Sequence, residues 1–310
     1  MTVSRWQLAA GASTLSFFLM APTLAVGAPP ATTSVDLAGD TQVDDLRVAE
    51  LSGLAWSADD ELLYAVSDLG YVVQLKIQVD GDTLLAVKPV RAFKLSDAKD
   101  VVAGAGKRFN AEGLALRGAT DGKPGNTELV VAVEENPPLI VRFDPDGAAL
   151  GMLDLPAPAN DIDNYRKKGR GLESVAFSAE HSLMTAPESP LLDAPSDWHT
   201  VYADGQQWSF TRHEEDSRLK AFDVLPDNQL LVLERTRHGS KKEQSASLRR
   251  VDLSDCDDGG LCKAKTLAEL PTGPHNFEGM ALLTPDQALL VSDNSGKASG
   301  DTRFTLVSLP

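Results

Sequence analysis

Lysine and arginine are scarce in this chain, 29 against 45 aspartates and glutamates, for a formal net charge of −16 over 310 residues. An excess of that sign repels phosphate backbones and anionic headgroups, so nucleic acid and anionic lipid are not expected as partners. Cysteine is nearly absent, with two residues, and the five histidines are scattered. Two cysteines without paired histidines do not make a zinc site. There is no Gly-x-Ser-x-Gly elbow, no His-Glu-x-x-His pair and no phosphate-cradling glycine loop. Serine-esterase, zincin and P-loop chemistry therefore lack their signatures. No stretch holds a helical period over three turns, and beyond residue 28 no apolar run is long enough to span a membrane as a helix.

What the chain does have is a repeat. Asn276-Phe277-Glu278-Gly279-Met280-Ala281-Leu282 returns as Asn110-Ala111-Glu112-Gly113-Leu114-Ala115-Leu116, as Gly171-Leu172-Glu173-Ser174-Val175-Ala176-Phe177 and, more weakly, as Leu51-Ser52-Gly53-Leu54-Ala55-Trp56. Each copy leads through a turn into an apolar run that closes on an acid: Asp68, Glu135, Glu188 and Asp293. A fifth run, Leu231-Val232-Leu233-Glu234, has the closing acid without the opening one. Repeats of roughly 50–60 residues built of short strands predict an all-β propeller. Five blades are expected, with six as the alternative. The propeller is placed at 46–310 as a single domain, after a polar lead-in at 29–45. The lead-in is either disordered or gives a strand to the last blade, and a closing strand is sought near 44–51.

The repeat predicts a site. Midway between the opening and closing acid of each copy lies a turn: Ser178-Ala179-Glu180-His181, Thr284-Pro285-Asp286-Gln287, the glycine-rich loop 118–126, and Asp60. An antiparallel hairpin brings its two ends together, so the acids gather at one mouth of the channel. The ring expected there is Asp68, Glu112, Glu135, Glu173, Glu188, Glu234, Glu278 and Asp293. Such crowding needs relief, either by protonation or by a hard cation, and calcium accepts six to eight oxygens in irregular geometry. The competing reading is that each carboxylate takes backbone N–H groups and pins neighbouring blades. Counting back from Glu234 reaches Lys220 or Ala221 instead of an acid, so Lys220 could pair with the ring. Two basic stretches, 166–170 and 235–242, abut it. Glu112, Glu173 and Glu278 are the candidate ligands or bases, and Arg170 and Arg235 the candidate clamps for an anionic or ester substrate.

Residues 1–28 read as a secretory signal, with Arg5 the only charge, a short apolar core at 8–19 and Val26-Gly27-Ala28 for cleavage. A periplasmic or secreted protein without membrane insertion after signal removal is expected, as a monomer. In that setting Cys256 and Cys262, flanking an acidic turn, are expected to form a disulfide.

Leu51-Ser52-Gly53-Leu54-Ala55, Glu112-Gly113-Leu114-Ala115, Arg170-Gly171-Leu172-Glu173 with Glu188-Ser189-Pro190-Leu191, and Asn276-Phe277-Glu278-Gly279 with Ser292-Asp293-Asn294 together resemble the phytase-like family named for the esterase-like activity of phytase. The rhythm is also similar to that of the SdiA-regulated, YjiK-type propellers. The first resemblance implies hydrolysis of esters or phosphate esters and carries over no catalytic residue. Ser174 in place of glycine, and blade four without its opening acid, depart from the pattern. The rival expectation is a non-catalytic binding or scaffold propeller whose acid ring is structural.

Overall fold

The computed structural model describes residues 30–95, 109–167, 171–239, 243–295 and 300–310. The expected signal at 1–28 lies outside them, as do Lys168, Arg170, Lys241 and Lys242. The chain begins with β1 (Thr32–Leu37) and a small pair, β2 (Gln42–Val43) and β3 (Leu46–Arg47). Four blades follow in sequence order. Blade one is β4 (Leu51–Ser57), β5 (Leu62–Ser67), β6 (Tyr71–Asp80) and β7 (Thr83–Lys94). Blade two is β8 (Ala111–Arg117), β9 (Glu128–Val133), β10 (Leu139–Phe143) and β11 (Ala149–Leu153). Blade three is β12 (Leu172–Ser178), β13 (Ser182–Pro187), β14 (Trp198–Ala203) and β15 (Gln206–Thr211). Blade four is β16 (Arg218–Val224), β17 (Leu230–Arg237), β18 (Gln244–Cys256) and β19 (Cys262–Gly273).

Blade five is built from both ends of the chain. β20 (Asn276–Thr284), β21 (Gln287–Asp293) and β22 (Thr302–Ser308) are completed by β1, which pairs antiparallel with β22 from Thr32↔Val307 to Leu37↔Thr302. The closing strand is therefore 32–37 and not 44–51, and the propeller starts within the lead-in instead of at 46. The physical reason is visible in the segment. Thr32, Ser34 and Asp36 are exposed while Thr33, Val35 and Leu37 are half-buried, the period-two pattern of an outer strand. Five blades close the circle, so the six-blade alternative falls. Among the described residues there is no α-helix, only a 3-10 turn at Ile162–Asn164.

The strands at the axis are β4, β8, β12, β16 and β20, and each touches the next around a closed circuit. Between blades, the strand side chains sort by alternation into five apolar clusters, one per interface. Along β9, Leu129, Val131 and Val133 pack toward blade one, while Val130 packs with Ile140, Leu172 and Val175 toward blade three. Along β17, Leu230 and Val232 face Met184 and Phe210 of blade three, whereas Leu231 and Leu233 face Leu290 and Val307 of blade five. Both faces of these middle strands are covered, which is why they read as unbroken apolar runs. Each fully buried Leu or Val stabilises by roughly 1.5–3 kcal/mol, so the interfaces carry the fold.

The cysteines form the expected disulfide at the tip of the β18–β19 hairpin. The acids there hold the turn: the Asp257 carboxylate accepts from the Gly259 and Leu261 N–H groups at 2.9 and 3.0 Å. The same tip hooks blade three, through Ser209 N–H to the Gly260 carbonyl at 3.0 Å.

Candidate functional site: a charged ring at one mouth of the channel

Every axial strand carries a register shift at the same place. The irregularities fall between Leu51/Leu54, Ala111/Gly113, Leu172/Ser174, Leu219/Ala221 and Phe277/Gly279. A bulge adds a residue to one strand and re-aims its side chain. The residues so placed are Ser52, Glu112, Glu173, Lys220 and Glu278. The next residue must be small, because the axial backbones crowd together. A Cβ on Gly53 would sit 2.6 Å from the Leu114 nitrogen, one on Gly113 would sit 2.8 Å from Ser174 Cα, and one on Gly279 would run into the Ser52 carbonyl. Blade three answers differently. Its Ser174 hydroxyl accepts the Phe222 N–H of blade four at 3.0 Å, so the departure from glycine is an inter-blade tie.

The hairpin partners of the bulges supply the second layer. The N–H groups of Asp68, Glu134 and Glu188 donate to the carbonyls of Glu50, Asn110 and Gly171, and Arg235 and Asp293 stand opposite Arg218 and Asn276. The ring therefore contains Asp68, Glu112, Glu173, Glu188, Glu278 and Asp293, but two expected members are displaced by one residue. Glu134, not Glu135, faces Asn110: Val133 pairs with Ala111, so the next residue turns to the mouth. Arg235, not Glu234, occupies the blade-four position. Glu234 pairs with Leu219 and lies on the opposite face, 1 % exposed. There it accepts from Ser217 at 2.5 Å, His213 N–H at 2.8 Å and Arg249 at 2.7 Å, with His199 Nε2 3.3 Å away. Burial alone would raise its pKa, but His199 and Arg249 hold it far below the ordinary carboxylate range.

Blade four thus contributes a cation at both layers. Lys220, 5 % exposed, reaches Glu188 at 3.1 Å, Glu278 at 2.5 Å and Glu173. Arg235, 3 % exposed, bonds Glu278 and the Asn276 side-chain oxygen and lies 3.8 Å from Glu188. Arg218 adds a contact to Glu188 at 3.3 Å. Burial pushes Glu188 up, but Lys220, Arg218 and Arg235 outweigh it and bring it down to about 2. Burial draws the Arg235 guanidinium down to about 10, still a cation at neutral pH.

Across the channel the balance reverses. Asn110 Nδ2 donates to Glu112 at 2.6 Å and to Glu134 at 2.8 Å, bridging two carboxylates with no cation against them among the described contacts. Burial raises Glu112 well above the usual carboxylate range, and Glu173 and Asp68 raise it further. Burial also raises Glu134. It pushes Asp68 to about 7 against the Ser52 hydrogen bond, and Glu173 to about 8 against Lys220. Leu54, Leu114, Val175, Phe222 and Met280, two residues past each bulge, line a cavity of about 220 Å³ together with polar Thr120 and Asp223. Burial away from water favours the neutral carboxyl form.

The metal expectation can be tested on this geometry. Among the described residues no group of three or more His, Cys, Asp or Glu side chains is arranged to hold a metal ion. The point on which Glu173, Glu188 and Glu278 converge is taken by the Lys220 ammonium. The donors as placed do not fit calcium.

Beside Glu188 lies a cleft of about 170 Å³ lined by Arg166, Lys167, Ser189, Pro190, Ser196 and Arg212. Arg166 is held rigid by the carbonyls of Pro190, Leu191, Leu192 and Ala194. Among the described residues, buried Arg212 Nε has no hydrogen-bond partner. Asn110, Glu134 and Arg212 were not singled out from sequence. The Asn-x-Glu spacing shared by 110–112 and 276–278 was the available signal for the first.

A five-bladed propeller with an ionised ring at one mouth is the class of protein that fold and site define. The family described as phytase-like, "Esterase-like activity of phytase", matches residues 46–296, and the chain belongs to it. No functionally curated protein sequence matches the chain. Among solved structures, the PQQ-bound aldose sugar dehydrogenase of Streptomyces coelicolor is 15 % identical, covering 90 % of this chain and 99 % of that one, with a TM-score of 0.40. A gluconolactonase of Xanthomonas campestris is 13 % identical, covering 92 % and 99 %, with a TM-score of 0.41.

Proposed function

We propose that this protein is an exported hydrolase of phosphate esters or other esters, working at the charged mouth of the propeller. The observation that carries the proposal is the Asn110 bridge between Glu112 and Glu134. Two carboxyl groups held by one amide, both raised, cannot readily ionise together, and such a pair can supply an acid and a base at once. Glu134 takes a proton from the attacking water. The water oxygen bonds to the acyl carbon or phosphorus, the ester bond breaks, and the Glu112 proton passes to the leaving oxygen.

The cleft of Arg166, Lys167 and Arg212 supports an anionic substrate group, since guanidinium forks suit phosphate and carboxylate oxygens. Arg235, expected as a clamp, is buried against Glu278 and Asn276, so in this reading it stabilises the ring. Calcium assistance, the cofactor expected from sequence, would require Lys220 to leave its three carboxylates. Positive charge in this reading comes from blade four instead.

Export is supported by the N-terminal apolar segment and by the disulfide. A periplasmic or secreted monomer acting on small molecules fits the acidic surface charge. A binding propeller without catalysis is the second reading, favoured by the ties that Lys220 and Ser174 make between blades. Assay of the purified protein against phosphate and carboxylate esters, with and without chelator, separates the two. Turnover lost in Glu112→Gln supports the hydrolase, and a protein without turnover on any ester supports the binder.

A further inference from the structure

A cleft of about 520 Å³ opens at the end of the molecule opposite the ring, on the seam between blades three and four. Glu180 and His181 come to it from the β12–β13 turn, and Asp227 and Asn228 from the β16–β17 turn. These turns lie at the far ends of the hairpins whose other ends hold Glu173, Glu188 and Arg235. Trp208, on the outermost strand of blade three, is half-buried against the apolar cluster that the two blades share. Its ring lies 4.5 Å from that of His181. The walls are tied before any ligand arrives. Asn228, at a left-handed φ of 62°, donates through Nδ2 to Glu180 at 2.7 Å and accepts the Ser178 hydroxyl at 2.8 Å. Gln229 Nε2 donates to Asp252 at 3.3 Å. A site ordered in advance loses less freedom on binding.

The volume falls within the ~300–1,000 Å³ of small-molecule sites. The lining is polar and has one sign of charge: carboxylates from Glu180, Asp227 and Asp252, and no lysine or arginine among the described residues. An anion would find no counter-charge there. Side-chain amides come from Gln206, Gln207, Asn228 and Gln229, and the first two residues are exposed. A simple cation would suit the carboxylates but offers nothing to amide N–H donors. A hydroxyl both donates and accepts, so a polyhydroxyl compound meets both kinds of group. The Trp208 indole adds a flat apolar surface with a polar handle, suited to the C–H face of a sugar ring. We propose that this cleft binds a neutral saccharide. A glycan held there leaves the charged mouth open, so the two sites can be filled together. The proposal does not rest on the hydrolase reading, because its readout is binding at the other end of the channel.

The experiment titrates the purified protein, by calorimetry, with neutral oligosaccharides of glucose, galactose, mannose and N-acetylglucosamine, with oligogalacturonate and with spermidine. Binding of at least one neutral oligosaccharide is expected, without binding of oligogalacturonate. Trp208→Ala should weaken it by about tenfold or more, the size of effect that truncating a central aromatic contact produces. Trp208 also packs against the core, so a second variant decides the matter if that one fails to fold. Gln206→Ala with Gln207→Ala changes exposed side chains only and should weaken binding severalfold at an unchanged melting temperature. Glu112→Gln, at the other mouth, is expected to bind the oligosaccharide as wild type does. A protein that binds none of the neutral oligosaccharides would overturn the proposal, and spermidine binding in their place would mark the cleft as a cation site. Saccharide binding that is untouched by the double glutamine variant, or lost in Glu112→Gln, would place the saccharide elsewhere and overturn it equally.

Discussion

Blades two and five carry the same local device and hold it in opposite electrical states. Asn110-Ala111-Glu112-Gly113 and Asn276-Phe277-Glu278-Gly279 are the same pattern, bulged at the same point, each with an acid on the neighbouring strand. In each, the asparagine amide donates to the bulge glutamate and to the partner acid: Glu112 and Glu134 in one, Glu278 and Asp293 in the other. Blade five lies next to blade four, whose Lys220 and Arg235 both contact Glu278. Blade two lies between Ser52 and Glu173, so Glu112 meets a hydroxyl position on one side and another acid on the other. A sequence motif sets the geometry of the carboxylate. The neighbouring blade sets whether it is a counter-ion or an acid.

The comparison can be broken most severely at the carboxylates themselves. Glu112→Gln is expected to lower kcat on a responsive ester by about 10²–10⁴-fold, the range for loss of a general acid. Glu278→Gln is expected to act mainly on stability. Equal kinetic losses in steady-state assays of the two variants would show that blades two and five are not functionally distinct.

Removing one of the two cations on Glu278 should move blade five toward blade two. Lys220→Met leaves Glu173, Glu188 and Glu278 buried with less compensation, and about 3–5 kcal/mol of destabilisation is expected in urea titration. A change below ~1 kcal/mol would mean that the ring is open to water and that Lys220 does not organise it.

The crowding that aims both carboxylates is tested at the small residues. Gly113→Ser places a Cβ 2.8 Å from Ser174 Cα, a backbone atom that cannot move aside cheaply, and should cost up to ~3 kcal/mol.

Stability should also depend on pH in a direction that reports the raised carboxyls of the ring. Unfolded carboxylates ionise near pH 4, whereas Asp68 and Glu173 hold their protons to about 7 and 8. Between about pH 4.5 and 8 the folded state binds more protons, so stability falls as pH rises, by about 1.4 kcal/mol per unit for each extra proton. Glu188, held down to about 2, works the other way: its contribution is present above about 4.5 and is lost as pH falls toward 2. Urea midpoints should therefore peak near pH 4.5–5, and Glu173→Gln should flatten the alkaline side. A midpoint that rises from pH 5 to 8 would contradict the raised carboxyls. The smallest effect expected is Ser174→Gly, which removes the hydrogen bond to Phe222 and should cost about 1 kcal/mol by the same titration.

Much of this was legible in the chain because it is local. A hairpin brings together residues a dozen or so positions apart, so the repeat alone gave five blades, put the acids at one mouth and marked blade four as the exception. The cysteine pair was legible for the same reason, six residues apart in an acidic turn. What needed the tertiary structure turns on single-residue register and on contacts between blades. Strand side chains alternate, so one step at a bulge exchanges Glu134 for Glu135 and Arg235 for Glu234, and apolar runs buried on both faces carry no alternation from which to count that step. The outer strand at 32–37 finds its partner some 270 residues away, at β22. Lys220 meets glutamates from blades three and five, and no spacing along the chain encodes that meeting. Sequence determined which hairpins bring acids to the mouth; strand register decided which residue of two neighbours stands there, and closure of the ring decided which of them are neutralised.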